Sequence, residues 1–75
     1  MNFDHSKLRG KIFEKFRSQR QFAQALGISP ATLNYRLSGK LPFTAPEMFK
    51  AIRLLEIDPS EISKYFLTPR KEKTQ

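Results

Sequence analysis

Eight Lys and Arg side chains fall between residues 7 and 40 (Lys7, Arg9, Lys11, Lys15, Arg17, Arg20, Arg36 and Lys40), against a single carboxylate, Glu14. Residues 41–75 hold six basic and five acidic residues, so nearly all of the net charge of +7 sits in the first half of the 75-residue chain. A one-sided basic field attracts polyanions, which makes nucleic acid the first ligand class to consider. Short hydrogen-bonding side chains lie among these cations: Gln19, Ser29, Thr32, Asn34 and Ser38. Amides and hydroxyls beside guanidinium and ammonium groups can grip phosphates and read base edges. Bond-making chemistry is not on offer. His5 is the sole histidine, so no histidine pair exists to hold a metal, and it reads as a surface residue near a helix start. Cysteine is absent, which removes disulfides and thiolate metal sites. Glu56 and Asp58 read as helix-end and cap residues rather than an acid/base pair. Gly10, Gly27 and Gly39 are isolated and form no phosphate-cradling loop. No enzyme, cofactor or metal is expected.

The elements that must position these groups are helical. Asp4 or Ser6 can cap a first helix to about Phe16, with Leu8, Ile12 and Phe16 on one face. Ser18 caps a second, Gln19 to Leu26, whose apolar face is Phe22, Ala23 and Leu26; Gly27 ends it. Ile28 is expected as a buried plug. Ser29 caps a third helix with Pro30 at its first position, where a missing N–H is harmless. Leu33 and Leu37 turn inward and Gly39 stops it. Thr44-Ala45-Pro46-Glu47 reads as a capping box opening a fourth helix to about Glu56. Asp58 caps a short fifth helix to about Phe66. The fold class is all-α, with five helices and short connections. The polar segment from Leu67 to Gln75 is expected to be a disordered tail, and residues 1–66 the domain.

Two short helices joined by a tight Gly-containing turn form a helix-turn-helix. Ala23 is small where the two helices approach, Gly27 supplies the turn, and Ile28, Leu33 and Leu37 seat the second helix of the pair. Its outward positions are Pro30, Ala31, Thr32, Asn34, Tyr35 and Arg36. Arg20, Arg36 and Lys40 are the best placed cations for phosphates, and counterion release would make affinity fall steeply with salt.

The stretch SQRQFAQALGISPATLNYRLSGK, residues 18–40, resembles the lambda-repressor-like helix-turn-helix of phage Cro and CI proteins, and the chain from 3 to 66 resembles small Cro-like repressors of temperate phages. The resemblance implies a homodimer on palindromic operator DNA that represses transcription in the bacterial cytoplasm. It places Pro30, Ala31, Thr32, Asn34 and Tyr35 against base edges in the major groove. It places Gln19, Ser29, Ser38 and Lys40, with Arg20 and Arg36 beside them, against phosphates. Apolar residues outside the inward stripes, Leu54, Ile57, Tyr65 and Leu67 with Phe49, mark the expected dimer interface. The chain departs from the pattern in opening its recognition helix with Pro30 and Ala31, where several relatives carry Gln. That weak opening favours one alternative, an antirepressor-type protein-interaction module. A nonspecific DNA-coating protein is the other.

Overall fold

The computed structural model describes residues 3–69, and these form the expected all-α, five-helix fold: α1 Ser6–Phe16, α2 Gln19–Leu26, α3 Pro30–Leu37, α4 Ala45–Leu54 and α5 Ile62–Phe66, the last preceded by a single 3-10 turn, Pro59–Glu61. Three of the five starts follow the expected cap chemistry; α1 begins after His5 and α5 after Glu61, neither with a side-chain cap, and Asp58 caps the 3-10 turn rather than α5. Ser18, Ser29 and Thr44 each accept a hydrogen bond from a backbone N–H of the first turn, and Thr44 and Glu47 complete the reciprocal capping box. At the start of α1, Asp4 Oδ1 accepts from the Ser6 N–H at 2.8 Å.

The exits share one device. Arg17, Gly27, Gly39 and Glu56 all adopt left-handed backbone, at φ 70°, 90°, 88° and 57°. After α2, the Ile28 N–H donates to the Ala23 carbonyl at 3.0 Å and the Gly27 N–H to that of Gln24 at 3.2 Å. After α3 and α4 the same pair of bonds recurs, with Lys40 to Tyr35 and Gly39 to Arg36, then Ile57 to Ile52 and Glu56 to Arg53. This is the Schellman arrangement, which satisfies the last carbonyls of a helix. Glu56 takes the position glycine prefers, so α4 ends at Leu54 rather than at Glu56. Arg17 does the same after α1, with a single bond to the Phe13 carbonyl at 2.9 Å. Left-handed backbone strains any residue with a Cβ. Arg17→Gly is therefore expected to raise stability by about 0.5–1 kcal/mol, after the larger chain entropy of glycine in the unfolded state is counted. A chemical-denaturation midpoint that falls instead would show the strain to be negligible.

One core holds the helices together. Leu8, Ile12, Phe22, Ala23, Leu26, Leu33 and Leu37 are buried with Phe43, Ala51, Ile52, Leu55, Ile57, Tyr65 and Phe66. Ile28, expected as a buried plug, is half-buried and packs on the edge of this core. His5 is buried, not a surface residue: it lies edge-on to Phe43, with ring centroids 5.3 Å apart at 80°. The chain segments flanking the helices meet. Phe3 and Pro69 form an isolated antiparallel bridge, and the Asp4 N–H donates to the Thr68 carbonyl at 2.7 Å. Residues 67–69 thus join the folded unit, whereas the rest of the expected tail, 70–75, lies outside the described residues. No helix among the described residues is long and apolar enough to cross a membrane.

Candidate interaction surface

α3 is built to present a plain outer face. Leu33 and Leu37 are buried and anchor it, while Pro30, Ala31, Asn34 and Tyr35 are exposed together on the opposite side. The three-residue link from α2, Gly27–Ser29, fixes its angle. At φ 90° glycine is strongly favoured at position 27, and a Cβ there would lie 3.6 Å from Lys50 Nζ.

Most polar groups expected to face a phosphate or a base have partners within the chain. Ser29 Oγ accepts from the Thr32 N–H at 3.0 Å and lies 2.9 Å from Thr32 Oγ1, so both hydroxyls belong to the cap of α3. Gln19 Oε1 accepts from Arg9 Nη1 at 3.1 Å. Ser38 Oγ donates to the Tyr35 carbonyl at 3.1 Å. Lys40 Nζ sits over the Tyr35 ring, 5.8 Å from its centroid. Of that set, Arg20 is exposed and has no partner among the described residues.

Arg36 is the clearest departure. Its guanidinium meets the Glu47 carboxylate two-pronged, Nε to Oε1 at 2.9 Å and Nη2 to Oε2 at 3.0 Å, with both side chains only 16% exposed. Glu47 Oε1 also accepts from the Thr44 N–H at 2.9 Å. Burial opposes ionisation of Glu47, but the hydrogen bonds from Arg36 and Thr44 outweigh it and hold the carboxyl below its ordinary range. Arg36 therefore ties α3 to the start of α4.

The remaining charges are one-sided. Glu14 pairs with Lys11 at 3.9 Å, Glu56 with Lys15 at 3.1 Å and Glu61 with Lys64 at 3.8 Å. Asp58 accepts from the Ser60 N–H, which lowers its pKa. Each described carboxylate thus has an internal partner, while Arg17, Arg20, Lys50 and Arg53 stand exposed. The surface offers positive charge to whatever binds it.

The expected dimer residues are dispersed. Ile57 and Tyr65 are buried in the chain's own core, and Lys7 Nζ covers the Tyr65 ring at 5.3 Å. Leu54 is half-buried against that core, and only Leu67 of the four is exposed. Phe49, named with them, is exposed, as are Phe13, and Tyr35 and Leu41 near the end of α3. Phe13 was signalled by its place off the Leu8, Ile12, Phe16 stripe. The burial of His5 had no such signal. His5 Nδ1 is buried with no hydrogen-bond partner among the described residues, a situation that costs about 1–3 kcal/mol. Burial lowers the His5 pKa from its ordinary value, against the carbonyls of Leu37 and Phe66, which raise it. Among the described residues no cluster of His, Asp and Glu could hold a metal.

The chain is 42% identical to a protein of solved structure, the modulator of repression (MOR) of the temperate bacteriophage TP901-1 from Lactococcus lactis. The match covers 88% of this chain and 89% of that one, with a TM-score of 0.76. This corrects the expectation of a Cro-like, operator-binding homodimer. The match that runs along nearly the whole fold is to a modulator of repression. Comparison with curated proteins finds no match. Residues 1–69 match the model of a protein family of unknown function, DUF739, and the chain belongs to that family.

Proposed function

We propose that this chain is a protein-interaction module that modulates transcriptional repression by binding a temperate-phage repressor. In this reading α2, the Gly27–Ser29 link and α3 are a helix-turn-helix whose outer face meets protein. The observation that carries the reading is the 42% identity, over 88% of the chain, to a modulator of repression. The local chemistry supports it. A face of Pro30, Ala31, Asn34 and Tyr35 is small, neutral and aromatic, and Tyr is a residue favoured at the centre of protein interfaces. The chain would act as an antirepressor, with no chemistry of its own.

The test is a titration of the chain into a preformed complex of the phage repressor with its labelled operator, followed by gel retardation. The retarded complex is expected to change saturably with the amount of chain, while the chain alone gives no discrete band. A discrete, sequence-specific band from the chain alone, with no effect on the repressor complex, would overturn the reading. Smeared, salt-sensitive retardation of any duplex would favour a nonspecific DNA coat.

A further inference from the structure

Five large apolar side chains are exposed among the described residues, and three of them gather at one corner of the fold. Tyr35 belongs to the outer face of α3, near its end. Leu41 and Leu67 stand at the rim of a cleft of about 370 Å³ between the loop after α3 and the end of α5. Phe43, Met48 and Phe66 form its walls. The other two exposed side chains, Phe13 on α1 and Phe49 on α4, do not line the cleft. Single exposed apolar residues are ordinary, whereas a group of them beside a concavity marks an interaction site.

This corner continues the outer face of α3. The Tyr35 carbonyl accepts three hydrogen bonds, from the Lys40 N–H at 3.0 Å, the Leu41 N–H at 3.2 Å and Ser38 Oγ at 3.1 Å. They hold the loop that carries the rim against the last turn of α3. Lys40 joins the two surfaces: its ammonium lies over the Tyr35 ring, 5.8 Å from the centroid, and the same residue lines the cleft. A protein that covers Tyr35 therefore meets Lys40 and arrives at the cleft mouth.

Charge and size specify what that protein brings. Lys40 makes no ion pair among the described residues, and no carboxylate among them lines the cleft. Covering its ammonium stabilises a complex only if an anion comes with the cover. The walls are apolar, the volume suits one large apolar side chain, and the flexible Met48 lets the wall adapt to its shape.

We infer that the repressor that covers the outer face of α3 also inserts one large apolar side chain into this cleft and sets a neighbouring carboxylate against Lys40. The inference rests on the protein-interaction reading and extends it to a second contact. The test is calorimetric titration of the phage repressor, without DNA, with the full chain and with variants at exposed positions whose thermal melts match the native one. Leu67→Glu and Leu41→Glu place a carboxylate at the apolar rim, and each should weaken binding by about tenfold or more. Leu41→Glu serves if Leu67→Glu disturbs α5. Lys40→Glu should weaken binding by about tenfold, and added salt should weaken the native chain more than Lys40→Gln. Phe13→Glu, away from the cleft, should bind as the native chain does. Native affinity in a folded rim variant, or an equal loss in Phe13→Glu, overturns the cleft contact and leaves the protein-interaction reading standing. Native affinity in Lys40→Glu removes the carboxylate and overturns the inference as stated. A native chain that sediments as a dimer, and as a monomer with Leu67→Glu, would assign the cleft to a second copy and overturn it too. If the native chain itself gives no heat with the repressor, the protein-interaction reading fails and the cleft contact falls with it.

Discussion

Phe22→Ala is expected to cost about 3–5 kcal/mol and to leave the chain largely unfolded. Phe22 is fully buried, and its ring meets that of Phe16 edge-on, with centroids 5.2 Å apart at 61°. It comes from α2, the helix that touches α1, α3 and α4 alike. Truncation would remove the transfer free energy of the ring and leave a cavity that three helices cannot close together. A domain of this size has a total stability of only about 4–11 kcal/mol, so the loss consumes much or all of it. Phe22→Leu keeps most of the volume and should cost about 1–1.5 kcal/mol. Urea denaturation followed by circular dichroism reads both. A loss below about 1 kcal/mol for the alanine variant would mean that α2 is not the centre of the core.

Arg36→Ala is the second large effect, expected at about 2 kcal/mol at neutral pH. It strips the Glu47 carboxylate of its two-pronged partner while leaving it largely buried. The cost falls short of that for a fully enclosed pair, because the Thr44 N–H still reaches Glu47. The pH dependence follows from the lowered pKa of Glu47. In the folded protein this carboxyl holds its proton less tightly than in the unfolded chain, so the pair stabilises fully above the ordinary value of about 4.5 and loses its contribution as pH falls through the lower folded-state value. The gap between the native chain and Arg36→Ala should therefore narrow as pH drops below about 4.5. A gap that stays constant down to pH values where carboxylates are protonated would show that Arg36 acts by packing alone.

The helices were legible because their starts and inward stripes are local. Ser18, Ser29 and Thr44 announce caps, and the bounds of α2 and α3 follow from the residues themselves. The exits through Arg17 and Glu56 were not legible, since neither residue type advertises left-handed backbone. Ile57 and Tyr65 looked unpartnered because they lie beyond any regular helical stripe; only the return of α5 onto α1 and α4 buries them. Arg36 sits at an outward helical position, yet its long side chain reaches Glu47, eleven residues onward. Periodicity assigns the direction of a Cα–Cβ bond, not the end of a guanidinium. His5 was hidden for a related reason: Phe43 and Phe66 reach it from distant parts of the chain.

The candidate site was legible as a framework and illegible as a function. The spacing of Ala23, Gly27, Ser29, Leu33 and Leu37 marks the bounds of α2 and α3 and which of their residues face the core. It does not specify what the outer face of the second one touches. The Pro30-Ala31 opening was the local hint against base reading, and it pointed to the alternative that the likeness to a modulator of repression now favours.

The most direct test of that central claim is calorimetric titration of the full chain into the purified phage repressor with no DNA present. The account predicts a saturable heat with a fixed stoichiometry, weakened at least tenfold by Tyr35→Ala on the outer face of α3. No heat of binding to the repressor, with tight and sequence-specific binding of the chain to a duplex in a parallel titration, would contradict it.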